Sequence, residues 1–516
     1  MARTPLFANL RRLMRAATLA RRTGVPAAEL IELPRRRFMQ AVGGVAAMSL
    51  AGAGCSSTGP KKVSRDTKVV IVGGGMAGLH CGHLLRKQGV DFDIYEASDR
   101  TGGRMFTKKG ILFGQQTVEL GGEFIDSHHA DMHALVKELK LELLDMHDDK
   151  GMRDAAYFFG GKHYTDREVL DALAPFVERM EQDAARLDAD WDLVVNDINV
   201  RKLDRTGIGA YLSEIGMTGW LKALIEVAFV TEYGLDADEQ SVFNLLGTIG
   251  LDTSTERWES FGESDERYKV KGGNQRVVDE LARKLASDIY RGHKLLRVKA
   301  SGDRYLLTFD DDGRTVEVKA DIVVLAIPFT TLRQVELQVD MPAGKRKCID
   351  ELGYGMNAKV LAGVSSRPWR KQGYSGGIFT DGPVQLAWDN ARMQAGDGAG
   401  ITFYSGGKPG IDAGKGTPRE HVLKLLPELD KAFPGAEGAF NNKLFRMHWP
   451  SHAFTKCSYA CYKPGQWTTL SGLEIEPVGN LLFAGEHCSD AFQGYMNGAA
   501  ETGRVAAEAV IARVSK

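Results

Sequence analysis

The 516-residue chain is 43% hydrophobic and 26% charged, the composition of an ordinary soluble globule with room for two cored domains. Its formal net charge of -1 gives no basic excess to attract nucleic acid, and no apolar run beyond the first 55 residues is long enough to span a bilayer. That total hides a basic head: residues 1–55 hold nine arginines against two glutamates, leaving -8 for the rest.

Within the head, Arg35, Arg36 and Arg37 precede Phe38, Met39 and a short small-residue run from Ala41 to Gly54. Arginines followed by such a run read as an export signal of the twin-arginine type, placing the mature protein in the periplasm. Ala51-Gly52-Ala53 offers a cleavage site, whereas Gly52-Ala53-Gly54-Cys55 offers a lipid anchor at Cys55; both stay open. Residues 6–21 can form a basic amphipathic helix whose role is not readable. The six cysteines, at 55, 81, 348, 457, 461 and 488, show no disulfide-dense spacing.

The stretch from Lys68 to Thr107 organises the rest of the chain. Val69 to Val72 read as a strand, Met76 to Lys87 as a helix and Phe92 to Tyr95 as a second strand ending at Glu96. Between the first strand and the helix, Gly73, Gly75 and Gly78 form GxGxxG in the setting that gives it meaning. Gly73 permits the turn, Gly75 lets the backbone approach a pyrophosphate, and Gly78 allows tight packing against the strand. The helix N-terminus favours phosphate charge. Glu96, eighteen residues beyond Gly78, suits a ribose hydroxyl.

The unit runs on into GGRMFT, with Arg104, and then LGGEFID, with Gly122. With these motifs the chain resembles the flavin-dependent amine oxidase superfamily of monoamine, polyamine and L-amino acid oxidases, over nearly all of residues 67–516. The resemblance implies FAD, with Glu96 on the ribose and Arg104 near the pyrophosphate. It also implies an α/β fold, an FAD-binding dinucleotide unit interleaved with an α+β substrate-binding domain. The chain then divides into a basic extension and export signal at 1–55 and a linker at 56–66. FAD-binding segments lie at 67–146, 268–345 and 450–516, and substrate-binding segments at 147–267 and 346–449.

From about 165 to 250 the pattern turns helical, with apolar periodicity over Leu170 to Leu187 and Leu221 to Val230, suggesting a cap over the cofactor. FVTEYG, Phe229 to Gly234, reads as packed core with a solvated edge. His128, His129 and His133 lack an accompanying carboxylate or cysteine pattern, so no metal is assigned. Farther on, the KGG turn at Gly272 and Gly273, Val298 and the strand Ile322 to Ala326 repeat the family pattern, Val298 matching a backbone contact to adenine. The C-terminal motifs NLLFAGEHCSD and GYMNG bring Gly485, Glu486 and Met496 back to the cofactor.

Several residues carry the chemistry. Lys359, in the apolar strand AKV, is costly to bury without an acceptor, and it matches the family lysine that holds a water at flavin N5. Tyr462 and Tyr495 match the two aromatic walls of the amine site, which favour a cation before its deprotonation. Cys461 matches the cysteine that monoamine oxidases link to the flavin, though Tyr459-Ala460 replace two glycines, and an unlinked buried thiol remains the alternative. The implied reaction is oxidation of an amine C–N bond to an imine that hydrolyses to a carbonyl compound. Oxygen or a protein electron acceptor then reoxidises the flavin, and a homodimer is compatible with all of this. L-Amino acid oxidation stays open and needs an arginine such as Arg257, Arg267 or Arg446 for the carboxylate. Polyamine oxidation needs Glu123 or Asp126 to face the cavity. A module that merely retains FAD is a third alternative.

Overall fold

The computed structural model describes residues 67–186, 195–251, 253–254, 257–258, 260–262 and 264–514. The readings at Arg35–Arg37 and Cys55 lie outside these. The β-branched runs VVIV (Val69–Val72) and IVVL (Ile322–Leu325) are buried on both faces, as central strands of a parallel sheet must be. They form a five-stranded parallel sheet in the order Leu481–Phe483, Ile322–Leu325, Val69–Val72, Phe92–Tyr95, Ile289–Tyr290. Distant segments therefore share one layer, with Val69 paired to both Ile322 and Phe92.

The helix Met76–Lys87 buries Leu79, Cys81 and Leu85 in the core beside that sheet. The C-terminal helix Met496–Val514 packs on it through small residues. A Cβ on Gly503 would lie 2.4 Å from the Ala77 carbonyl, so the two helices meet at a distance only glycine allows.

A second, seven-stranded sheet runs Phe440–His448, Ala358–Val364, Ala399–Ser405, Leu386–Asp389, Tyr374–Thr380, Arg153–Phe159, Lys162–Tyr164. Every residue of Ala358–Val364 is buried, Lys359 included. The helices Asp166–Ala185 and Gly219–Tyr233 join the core on one side of this sheet. The first starts four residues before the apolar periodicity does because Thr165 and Glu168 form a reciprocal capping box. The second ends where Gly234 turns left-handed, φ 78°. A four-stranded sheet, Arg314–Ala320, Arg304–Asp311, His293–Ser301, Glu336–Gln338, completes the fold. No helix among the described residues is long and apolar enough to cross a membrane.

Candidate active site

A cavity of about 830 Å³ lies between the parallel and seven-stranded sheets. One part is built by the GxGxxG turn. Gly73 has φ 106°, and a Cβ there would stand 2.6 Å from the Ala326 carbonyl oxygen; one on Gly78 would stand 2.0 Å from Gly73 O. The missing side chains bring Gly75 and the first turn of Met76–Lys87 to the cavity wall, where unpaired N–H groups and the helix dipole favour phosphate. Glu96 lines the same part; its Oε2 accepts from Gly74 N at 2.7 Å and its Oε1 from Ser98 N at 2.8 Å. A glycine cradle, a helix start and a carboxylate closing the second strand suit a pyrophosphate and a ribose, so these residues fit FAD.

Gly122, Gly485, Glu486 and Met496 also line the cavity. Arg104 does too, but it is tied to protein: it donates to Glu486 Oε1 at 2.8 Å and to Ser458 O at 2.6 Å. Val298, by contrast, is fully buried and off the wall, which is formed by His293, Lys294 and Leu295. The pairing of this strand slips between Leu295 and Arg297, a bulge between the wall residues and Val298.

The other part is aromatic and charged. Lys359 Nζ donates to Glu119 O and Gly121 O, each at 3.0 Å, and to Glu123 Oε2 at 2.7 Å. All three of its donors are thus accepted within the protein. Lys269, also buried, donates to the other Glu123 oxygen, which further accepts Trp388 Nε1–H at 2.9 Å. Burial alone would raise the Glu123 carboxyl, but the two lysines hold it below the usual range. Glu123, Lys269, Lys359 and Trp388 all line the cavity. Asp126 does not: its oxygens accept from Ser264 Oγ at 2.7 Å and Glu266 N at 3.0 Å, fastening the loop before Tyr268–Val270.

Tyr495 stands on the wall, its hydroxyl 2.9 Å from Ser264 Oγ. Tyr462 does not. Its ring packs on Trp467 at 4.5 Å between centroids and its hydroxyl donates to Glu474, away from the cavity. The wall residue is Tyr459, three positions earlier, whose hydroxyl meets that of Tyr404 at 2.7 Å. In an extended segment an odd separation puts two side chains on opposite faces, so only one can look inward. Cys461 is likewise off the wall and fully buried, with Asn244 Nδ2 at 3.5 Å from its Sγ, and burial pushes its thiol well up. FVTEYG splits: Phe229 and Tyr233 are core, but Glu232 lines the cavity, as does Glu266. Sequence alone leaves Glu232 on a solvated edge and does not single out Glu266.

Asp126, His128 and His129 do gather, with ligand atoms within 4.8 Å. His129 Nδ1 accepts from Asp126 N at 2.9 Å, which puts the proton of the neutral ring on Nε2, 3.4 Å from Asp126 Oδ2. No lone pair on that ring is left for a metal.

The parallel sheet with its glycine turn defines a dinucleotide-binding flavoenzyme fold, opening onto a second sheet that supplies a buried lysine and aromatic walls. Residues 76–511 match the model of the flavin containing amine oxidoreductase family, and the chain belongs to that family. It is an FAD-dependent enzyme that oxidises an amine to an imine. It is 24% identical over 473 residues to the flavin-containing amine oxidase B of Sus scrofa, covering 88% of each chain. An L-amino acid dehydrogenase of Synechocystis sp. is 24% identical over 466 residues, 87% of this chain and 95% of that one. Among solved structures, putrescine oxidase bound to putrescine superposes with TM-score 0.73 at 22% identity, covering 86% of this chain and 99% of the other. Cyclohexylamine oxidase from Brevibacterium oxydans does so with TM-score 0.74 at 22% identity, covering 87% and 100%.

Proposed function

We propose that the substrate is an amine without a carboxylate, oxidised between Tyr459 and Tyr495 beside Lys359, with oxygen as the final acceptor. The observation that carries this reading is the commitment of the arginines. Arg257 and Arg392 line this part of the cavity but are ion-paired to Asp154, each at 2.6 Å. Arg267 is paired to Asp145 at 2.7 Å. Arg446 donates to the carbonyls of Ala413, Lys415 and Gly416, each at 3.0 Å, on an outer strand of the seven-stranded sheet. An L-amino acid would have to break one of these pairs to anchor its carboxylate, or draw Arg153, an exposed residue of the cavity wall, off the Tyr374 ring it lies over and off Gln372 O, whereas an amine needs none of them.

The substrate loses one α C–H as hydride and one N–H as a proton, forming the C=N bond; water then adds and ammonia leaves, giving the carbonyl product. Bound FAD supplies the two-electron acceptor, held by Gly73, Gly75, Glu96, Gly122, Gly485 and Met496. The rings of Tyr459 and Tyr495 confine the substrate and favour its cationic form on entry. Lys359, clamped by Glu123 and two carbonyls, places a fixed positive charge in the wall. A water held at its ammonium, as the family pattern implies, has to displace one of those three acceptors. Oxygen takes up the two electrons with two protons as hydrogen peroxide.

An anaerobic panel tests the reading. Monoamines or diamines should bleach the flavin absorbance and L-amino acids should not; bleaching by L-amino acids alone would overturn it. On re-aeration, one peroxide per carbonyl product supports oxygen as acceptor.

Export follows the same logic, because a protein that folds around FAD is best translocated folded. Arg36→Lys with Arg37→Lys should leave the precursor in the cytoplasm, and unchanged export would remove the twin-arginine reading. The mature N-terminal mass separates cleavage before Gly54 from lipidation at Cys55.

A further inference from the structure

An amine that enters as ammonium must shed a proton before its C=N bond can form, because an ammonium has no lone pair to give. The Tyr495 wall offers that proton a path. Tyr495 and Ser264 both line the cavity, and the Tyr495 hydroxyl lies 2.9 Å from Ser264 Oγ. Ser264 Oγ in turn donates to Asp126 Oδ2 at 2.7 Å. Serine has a single hydroxyl proton, and here the carboxylate takes it, so the Tyr495 hydroxyl must donate to Ser264 Oγ. Among the described residues the phenol oxygen has no further partner, which leaves its lone pairs for the cavity. The opposite wall leads nowhere: the Tyr404 and Tyr459 hydroxyls meet at 2.7 Å and run on to Thr231 O at 3.4 Å, a carbonyl too weakly basic to hold a proton. Glu123 is no better, since against the pull of burial its two lysines hold it below the usual range.

Asp126 ends the chain behind the wall, with no exposed surface. Its second oxygen accepts Glu266 N–H at 3.0 Å, and its own N–H donates to His129 Nδ1 at 2.9 Å. Among the described residues no lysine or arginine pairs with it. His129 Nε2–H stands 3.4 Å from Oδ2 but belongs to a neutral ring, because burial and then His128 hold that imidazole well below its ordinary range. His133 Nε2 donates to the Asp126 carbonyl at 2.9 Å, His128 lies in the same 4.8 Å cluster, and Asp265 and Glu266 face it from the Ser264 segment as acids. Burial lifts the Asp126 carboxyl to about 6 against the Ser264 bond, which makes it a stronger base than an ordinary aspartate. Burial followed by the Asp126 charge pushes the Tyr495 phenol well up, so it passes a proton without ionising.

We infer that Tyr495, Ser264 and Asp126 form a proton relay that turns the bound ammonium into the reactive free amine. The ammonium gives one proton to the Tyr495 oxygen as the phenol proton moves to Ser264 Oγ and the serine proton to Asp126 Oδ2. One N–H bond breaks and one O–H bond forms on Asp126, while the N–H electron pair stays on nitrogen as the lone pair that C=N formation uses. Neither hydroxyl ends with a net charge. Because Asp126 has no exposed surface, the proton returns by the same path, to water that enters the emptied cavity. Tyr495 touches the substrate; Ser264 and Asp126 act through it. This rests on the placement of the amine between Tyr459 and Tyr495 and assigns its base.

The test follows anaerobic flavin reduction by benzylamine and n-butylamine between pH 6 and pH 10, at subsaturating amine, with FAD-loaded full-length enzyme. An alkylammonium loses its proton at about pH 10, so both amines are cations over most of that range. With the relay, the wild-type second-order rate should be level from about pH 7 to pH 9. Without it only the free base reacts, so Ser264→Ala and Tyr495→Phe should climb about tenfold per pH unit and approach the wild type near pH 10. Asp126→Asn should climb in the same way, and Ser264→Thr, which keeps the hydroxyl, should restore the level profile. A level profile in Ser264→Ala or Tyr495→Phe overturns the relay, and one in Asp126→Asn places the base elsewhere and overturns it too. If the variants lose FAD, the wild type decides: a rate that itself climbs tenfold per unit rejects the relay, and a level one upholds it. Tyr495→Ala reducing at wild-type rates would instead show that the amine lies elsewhere, which overturns the placement on which the relay rests.

Discussion

Lys359, Glu123 and Lys269 show how a single residue's role depends on its neighbours. A lysine in an all-apolar strand is legible in sequence because burying its charge demands acceptors. That those acceptors exhaust its donors is not legible, since Glu119, Gly121 and Glu123 lie more than 230 positions away. Removing one member of such a buried set leaves its partner charged and underpaired, at about 3 kcal/mol or more. Lys359→Met should therefore lower the thermal midpoint and slow flavin reoxidation, while Lys269, still bound to Glu123, keeps the carboxylate ionised. Separate measurement of anaerobic reduction and reoxidation reads this out, and unchanged half-reactions would leave Lys359 a structural clamp. Tyr459→Ala should slow anaerobic reduction of the flavin by about a hundredfold, the cost of a roughly 1 Å misplacement of substrate. Tyr462→Phe should leave reduction near wild type, because its hydroxyl reaches Glu474 and not the cavity. The opposite ranking would restore Tyr462 to the wall.

At the scale of elements, legibility tracks the range of the interactions that set each one. The first strand, glycine turn and helix are local, and Val69–Val72 and Met76–Lys87 fall where periodicity puts them. Tyr459 and Leu295 escape a reading of sequence because parity in an extended segment and a bulge in a strand are fixed by partners: Gly353 and Gly355 pair with Cys461 and Tyr459, and Asp311 to Arg304 pair with His293 to Ser301. Glu119 shows what such long-range joining does to charge. It ends the strand Thr117–Glu119, and its oxygens accept from Thr107 Oγ1 at 2.7 Å and from Asn274 N at 2.8 Å, just before the helix Gln275–Lys284. Burial outweighs those bonds and pushes its carboxyl to about 7 from the ordinary 4.5. Between those values the folded chain keeps a proton that the unfolded chain has lost, so stability is greatest below pH 4.5 from this group and falls as pH rises to about 7, by roughly 3 kcal/mol. Glu119→Gln keeps an oxygen for Asn274 N and removes the titration. It should therefore shrink the drop in thermal midpoint between pH 5 and pH 8, and an unchanged drop would show that Glu119 is already ionised in the native state.

The whole molecule is held around the cavity by contacts between segments hundreds of residues apart, and one such pin is Arg104 with Glu486. The parallel sheet draws strands from four regions of the sequence, so the N-terminal glycine turn and the C-terminal helix form one wall only if their loops are tied across it. Glu486 is 6% exposed and accepts from Arg104 Nη1, from Ala460 N at 3.3 Å and from Gly494 N at 2.8 Å. One carboxylate thereby fixes the loop after Gly103, the segment that carries Tyr459, and the turn that carries Tyr495. Glu486→Gln retains one carbonyl oxygen but leaves Arg104 without its counter-charge. Glu486→Leu removes every acceptor and strands a guanidinium that is 23% exposed, at a cost of about 3 kcal/mol or more. The expected order of both thermal midpoint and FAD retention on gel filtration is wild type, then Gln, then Leu. Substrate reduction rate should fall in the same order, because both tyrosine walls hang on this carboxylate. A leucine variant that unfolds at the wild-type temperature with full FAD content would show that the walls are positioned independently of the Arg104–Glu486 pair.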